Sequence, residues 1–534
     1  NSAWSFLHFL RGNEDETVNF WIRCNVKTVD TSKIPVSQFR ECLRVASQRA
    51  SSPAQKDPYG FAEGTLLHKA LPRMLLAKVK PSTHSGVSWR QLILWRTRRF
   101  MAGHWQSLWH ESEGAVIGLT QKKEMSIEMK EAAAEDRAMA GDLSGATRTL
   151  QAGSLLLAED DPEVVEEWKR KVDVPGRRPT KSWEEVARIK GKDPSSSEFT
   201  FVLGKSLVAG TDGPLEVDTL KHVMGHLPSR AAGGLDGNGF GIYATMDDMA
   251  VMPFVNSFLA APPATSSCPL DSTVRRLLVS GRGVGLDKKG SGKAEHLRPI
   301  GIGDDLRRIA ARCISLQTRN AQSDISLADE LQCGVGMEGG LDIGFSIPTR
   351  TLESLCAAGH PSAMLLTDGG NAFQSIFQDK IIGELIESRP ELVNFWRNCY
   401  GQTRAPQIFL DNGASVQVTS LFQGCGLSPE FFAQGIRGLL RDLREAAPSR
   451  SITPTISAYL DDITCVVQLE DMFATLENLR TLSPNYGLSF NSIEKNYYYV
   501  PTQFKKDFDD LIQRCPEDEL PNIVPIVDES EGAF

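Results

Sequence analysis

Residues 458–467, AYLDDITCVV, place two adjacent aspartates between two short apolar runs of alternating character. Alternation with a period of two on both sides predicts a β-hairpin with the acids at its tip. Asp is a common turn residue, so a polar tip with no further role is one reading. Neighbouring ionised carboxylates at a strand end also repel each other, and a divalent cation held by hard oxygen ligands relieves that repulsion. One more carboxylate nearby would complete a metal site.

Two further segments bear on this. In SAMLLTDGGNAFQSIFQDKIIGELIE (362–387) a short apolar run ends at Asp368 and an amphipathic helix follows. An acid in that place is either a helix cap or a third ligand. In SLFQGCGLSPEFFAQGIRGLLRDLRE (420–445), Ser428 and Pro429 form an N-cap and first-turn pair, and Ile436, Leu439, Leu440 and Leu443 mark the apolar face of the helix beyond. The preceding Gln423-Gly424-Cys425-Gly426 is a glycine loop that lets backbone approach a ligand closely.

The chain has 534 residues, 41% of them hydrophobic, enough for more than one packed unit. No apolar run reaches the roughly 18 residues of a membrane span, and no secretory signal opens the sequence, so a soluble protein of the nucleus or cytoplasm is expected. The ten cysteines are scattered without a C-x-x-C pair, which predicts reduced thiols. The first residue is Asn1, as in a processed form or a fragment. Net charge is −9, yet residues 271–320 hold eleven Lys and Arg against five Asp and Glu, while residues 505–534 hold three against nine. An acidic total thus leaves room for a basic groove, and only the groove touches a polyanion.

Residues 1–175 read as mainly helical. Within them WRQLILWRTRRFMAGHWQSLWHE (89–111) interleaves Trp89, Trp95, Trp105 and Trp109 with Arg90, Arg96, Arg98 and Arg99. Stacking and phosphate contact is one reading; inward Trp residues with a solvated Arg face is the favoured one. Residues 176–200, rich in Pro, Ser and charge, are expected to be a linker. Beyond it, residues 201–360, 361–500 and an acidic 501–534 alternate strand-like and helix-like segments as an α+β protein does.

Taken in order, these pieces resemble the palm of a reverse transcriptase: an Asp at a strand end with Phe five residues on, then Q-G-x-x-L-S-P opening a helix, then Y-L-D-D in a hairpin. Flanking stretches are similar to segments of enzymes from non-LTR retrotransposons and group II introns. AAGGLDGNG (231–239), LDKKGSGKAEHLRPIGIGDDLRRIAARC (286–313), LQCGVGMEGG (331–340) and GLSFNSIEKN (487–496) carry that likeness. The resemblance implies a right-hand fold, fingers over 201–360 and palm over 361–500, with an antiparallel sheet packed on helices. It implies an RNA-directed DNA polymerase that takes an RNA template, a DNA or RNA primer and dNTP.

The roles follow by resemblance and by chemistry. Phosphoryl transfer is mostly positioning and charge stabilisation, and two metals roughly 3.5–4 Å apart clamp the attacking and leaving oxygens. Asp368 and Asp461 would hold two Mg²⁺ ions, Mn²⁺ being the alternative, with Asp462 in support. Lys288, Lys289 and Arg298 would lie over the triphosphate, a solvated loop face being their bland alternative. Gln423 and Gly424 would border the nascent pair, and Phe373 would be the steric gate against a 2′-hydroxyl. Lys495 matches a lysine that acts as general acid toward pyrophosphate, in an interval one residue longer than the common form. Asn371 stands where RNA-dependent RNA polymerases carry a second acid, which favours a DNA product. In place of the family's primer-gripping hairpin and thumb the last residues are acidic, so a thumb is expected from another segment or chain. The alternative reading is a catalytically silent scaffold within a ribonucleoprotein.

Overall fold

The computed structural model describes residues 36–50, 58–76, 88–113, 155–158, 161–199, 215–228, 233–236, 240–243, 248–260, 269–318, 332–335, 337, 339–401, 406–447, 454–490 and 496–514. Lys495, residues 114–154 of the region read as mainly helical, and most of the acidic segment lie outside them.

Nine strands among these residues form two sheets. The first contains β1 (Leu155–Leu156), β2 (Gly281–Asp287), β3 (Leu297–Gly303), β5 (Gln407–Phe409) and β6 (Ser415–Gln417). β2 pairs antiparallel with β3 along its whole length, from Gly281 opposite Gly303 to Asp287 opposite Leu297. Its other edge is shared: β1 takes the Leu286 end and β5 runs parallel to the Gly281 end. Glycines make the crowding tolerable, since a Cβ at Gly281 or Gly301 would lie 2.4 or 2.3 Å from the Phe422 ring.

The second sheet is wholly antiparallel, in the order β7 (Thr455–Tyr459), β8 (Asp462–Gln468), β4 (Ser362–Asp368), β9 (Asn496–Tyr499). The alternating pattern of 458–467 therefore becomes the hairpin it predicts. Ala363 and Leu365 of β4 and Ile463, Cys465 and Val467 of β8 belong to the main core, while Met364 and Val466 pack on Leu352 of the helix Gly340–Ala357. β4 and β8 are thus covered on both faces, hence their near-continuous apolar runs.

The helix Ser428–Glu445 buries Ile436, Leu439, Leu440 and Leu443, as its periodicity predicts. Its start differs from the expectation. Leu427 is the cap residue, with no side-chain cap, and Ser428 is already inside the helix, buried, its hydroxyl 3.2 Å from Tyr400 Oη. A buried tyrosine has claimed the hydroxyl that the sequence offered to the helix end.

Trp89–Met101 and Trp105–Glu113 are two helices, broken where Gly103 takes a φ of +80°. The inward-Trp reading holds for Trp105 and Trp109 but is reversed one turn earlier. Trp95 is 44% exposed beneath the Arg99 guanidinium, and Arg96 is buried, donating to the Leu75 carbonyl and to Glu111.

The stretch read as a linker is folded. Trp183–Ile189 opens with a capping box of Ser182 and Glu185, while Pro162–Val172, ahead of that stretch, is a helix as expected and buries Val164, Trp168 and Val172. Polar contacts fix the turn between them: Gln378 N–H donates to the Arg177 carbonyl at 3.0 Å, and Thr180 donates its hydroxyl to Asp379 at 2.5 Å. Such anchors leave no apolar signature to read.

The N-terminal helices are joined to the first sheet by a buried ion cluster. Lys69, on the helix Pro58–Leu76, places its ammonium 2.6 Å from Asp304 and 3.1 Å from Asp236. Asp304 also accepts the Leu306 N–H and so caps the helix Asp305–Gln317. Although burial works against it, the two carboxylates hold Lys69 well above the ordinary lysine range, and burial raises Asp304 to about 6. Gly234 explains the glycines before Asp236: a Cβ there would lie 2.9 Å from the Gly303 carbonyl.

Candidate active site

β4 and β8 end together. Asp368, the last residue of β4, lies directly opposite Asp462, the first of β8. Directly opposed residues of an antiparallel pair share a face with Cβ atoms about 4.5–5.5 Å apart. Asp461 sits in the two-residue turn before Asp462, and its carbonyl accepts the Gly369 N–H at 3.3 Å. Asp368 and Asp461 are half-buried and Asp462 is exposed. The three expected aspartates thus lie at the same end of two neighbouring strands, and the register sets Asp368 against Asp462.

The donor set fits a hard cation. Carboxylate oxygens suit Mg²⁺, which keeps several of its positions for water or substrate phosphate and takes only one or two carboxylates from a protein. Among the described residues no group of three or more His, Cys, Asp and Glu is placed so that it could hold a metal ion.

Phe373 follows on the short helical turn Ala372–Ser375. Its ring stacks on Phe432 with centroids 4.7 Å apart, and its carbonyl accepts from Leu421 N–H at 3.1 Å and Ser420 Oγ at 3.2 Å. The ring is half-buried, so it combines a packing role with a face toward solvent. Asn371, ahead of it, adopts a φ of +51° and donates its amide to the Lys171 carbonyl at 2.6 Å.

The glycine loop is braced from two sides. Gln374 Nε2 donates to Gln423 Oε1 at 3.1 Å, and Gly301 N–H donates to the Gln423 carbonyl at 2.9 Å. Gly424 has a φ of +118°, and a Cβ on it would stand 2.3 Å from the Gly301 carbonyl. Glycine is required there by the neighbouring β3 strand as well as by its backbone angle.

Lys288, Lys289 and Arg298 occupy the hairpin of β2 and β3, all exposed, with Arg298 opposite Leu286. Asp287 orders the tip by accepting the N–H groups of Lys289 at 3.0 Å and Gly292 at 2.6 Å. These cations share one hairpin but stand on a different sheet from the aspartates. What joins the two is the chain of backbone contacts just given, from Gly301 through Gln423 and Leu421 to Phe373, five residues after Asp368.

Residues 286–498 match a family model described as reverse transcriptase (RNA-dependent DNA polymerase). That stretch is similar to reverse transcriptase domains. It opens on the β2–β3 hairpin and closes in β9, so it takes in every candidate residue above. The two sheets and their helices are accordingly the fingers and palm of a polymerase fold, with a helical N-terminal region packed alongside. A reverse transcriptase domain implies an RNA template, a primer and deoxynucleoside triphosphates, and such enzymes use divalent metals. No curated protein matches the chain. No helix among the described residues is long and apolar enough to cross a membrane.

Sequence reasoning passed over several residues that shape this site. Lys171 donates to the carbonyls of Leu297 at 2.5 Å and Glu295 at 3.1 Å, tying the fingers hairpin to an upstream helix; in sequence it is one of many charges on an amphipathic segment. Arg307 is buried with its guanidinium over the rings of Phe422 and Tyr400, beneath the glycine loop. An arginine among alternating charges gives no sign of such a position. Gln332 lay within a quoted motif but had no assigned part.

Proposed function

We propose that the chain is an RNA-templated DNA polymerase of retroelement origin, related to the non-LTR retrotransposon and group II intron lineage, extending a primer 3′-hydroxyl with dNTP. The observation that carries this reading is the register placing Asp368 opposite Asp462, with Asp461 in the adjoining turn, inside the stretch that matches reverse transcriptases.

Asp368 and Asp461 would hold two Mg²⁺ or Mn²⁺ ions, with Asp462 in support. Bound there, the metals supply activation of the 3′-hydroxyl and charge neutralisation on the triphosphate. The rest is done by the chain. Lys288, Lys289 and Arg298 attract the triphosphate, Arg as a bidentate fork and Lys as a point charge. Phe373, fixed by its stack on Phe432, leaves no room for a 2′-hydroxyl, and the braced Gln423–Gly424 loop borders the nascent pair. Lys495 would protonate the departing pyrophosphate. A thumb for the primer duplex would come from another segment or chain.

Primer extension on an RNA template tests this. Wild type with Mg²⁺ is expected to make DNA, Asp461→Ala to make roughly 10³-fold less, and Phe373→Ala to accept ribonucleotides at least about tenfold better relative to deoxynucleotides. A folded wild type that binds primer and template yet yields no DNA, even with the thumb-containing partner supplied, would sink the polymerase reading in favour of a scaffold.

A further inference from the structure

Leu460, the residue before Asp461, has a φ of +57°, a conformation that L side chains other than Asn and Asp rarely adopt. Something must hold it there. The Gln332 side chain does so at both polar groups of that residue: Oε1 accepts the Leu460 N–H at 3.0 Å, and Nε2 donates to the Leu460 carbonyl at 3.3 Å. The same Oε1 accepts the Gly334 N–H at 3.0 Å, so two N–H groups converge on it and the amide has one orientation. Gln332 is fully buried, and the adjoining backbone adds a bond from Cys333 N–H to the Ala458 carbonyl at 2.7 Å. Gly334 makes room for the turn, since a Cβ on it would lie 2.7 Å from Leu460 N and 2.9 Å from Leu460 Cγ.

We infer that Gln332 is a positioning residue for the proposed reaction: its amide clamps Leu460 in the left-handed region and thereby aims Asp461 and Asp462 at Asp368. This rests on the polymerase reading. A buried glutamine could have satisfied any turn, but this one engages both the N–H and the carbonyl of the single strained residue next to the acids. An unclamped turn relaxes toward negative φ, and the peptide plane leading into Asp461 rotates with it.

Three measurements on the full chain test the inference. In Gln332→Leu, hydrogen exchange of the segment carrying Leu460 should quicken by about tenfold or more, since both bonds to the side chain are gone. The kcat for DNA synthesis should fall about 10- to 100-fold, as displaced catalytic groups do, while the Kd for primer–template stays within about twofold. Adding Leu460→Gly, which tolerates positive φ without the amide, should recover about fivefold or more of the lost kcat. Gln332→Glu keeps the acceptor and loses the donor, so it should fall between; it decides the matter if the leucine variant does not fold. Unchanged exchange at Leu460, wild-type kcat, or absence of rescue by Leu460→Gly would each overturn the clamp. A wild type that makes no DNA would instead overturn the polymerase reading, and the exchange experiment would still judge the clamp.

Discussion

Asp236, Asp304 and Asp305 lie almost wholly out of solvent at the seam between the N-terminal helices and the fingers, whereas Asp368 and Asp461 are half-buried and Asp462 exposed at the edge of the palm sheet. The first group carries its counter-charge in the chain, as Lys69 at 2.6 and 3.1 Å and Arg308 at 3.1 Å from Asp305. The second is gathered where water, ions and a triphosphate have access. Burial forces a carboxylate cluster to be neutralised from within, because an unpaired buried charge costs several kcal/mol. A cluster that solvent reaches is under less of that demand and can also take cations from solution. Two sets of aspartates in one protein therefore differ in kind: one fastens parts of the fold from within, and the other stands where solvent reaches it.

Removing one member of each set should separate them. Asp368→Asn is expected to lower DNA synthesis roughly 10³-fold while leaving the denaturation midpoint in metal-free buffer within about 0.5 kcal/mol of wild type. A large loss of stability there would make the palm cluster structural and erase the contrast. Lys69→Met should do the reverse. It takes the ammonium from two buried carboxylates, Asp236 and Asp304, so unfolding free energy should drop by about 3–5 kcal/mol, and Asp304→Asn in the same background should return part of it. If the single variant melts like wild type, the seam does not depend on its ion pairs.

The smallest effect concerns pH. Burial and the adjacent Lys69 charge push His68 down to about 3, and its ring lies tilted against Phe254, centroids 4.6 Å apart. A base depressed in the folded state contributes stability that is present above its ordinary 6.5 and lost as pH falls toward 3. The slope is up to about 1.4 kcal/mol per pH unit. Asp304 works in the opposite sense between about 6 and its ordinary 3.8, because its folded form takes the proton first. The difference between wild type and His68→Phe isolates the histidine: the variant should lose less stability on acidification, as read from urea unfolding at pH 7, 6 and 5. Parallel profiles would mean that His68 accepts a proton without unfolding its surroundings.

The palm was legible in the sequence because its signals are local. Alternation over 458–467 gives the hairpin, an apolar run ending at Asp368 gives β4, and helical spacing at Ile436, Leu439, Leu440 and Leu443 gives the buried face. The order of the motifs gave the family likeness that the match over 286–498 bears out. What stayed hidden depends on partners distant in the chain. Gln332 acquires its part from Leu460, 128 residues on, and Asn371 from Lys171, 200 residues back. Ser428 lost its expected capping role to Tyr400, and Arg96 changed places with Trp95 because Glu111 and the Leu75 carbonyl could satisfy a guanidinium inside. Pattern reading weighs a residue by its neighbours in sequence; these were decided across the fold.

The short parallel pairing of β2 with β5, Gly281 opposite Ile408, has a mechanical meaning. β5 belongs to the stretch between the palm's first aspartate and its glycine loop, so the fingers sheet is stitched at its base to a segment that starts and finishes in the palm. A door-like swing of the whole fingers body would have to shear those bonds together with the one from Gly301 to Gln423. The outer half of the β2–β3 ribbon is held as well, by β1 at Leu286 and by Lys171 at Leu297 and Glu295, so Lys288, Lys289 and Arg298 stand on a ribbon fastened at both ends. The hairpin is built as a strut in a braced frame, not as a flap, and a cross-link at its base should add little to what already holds it.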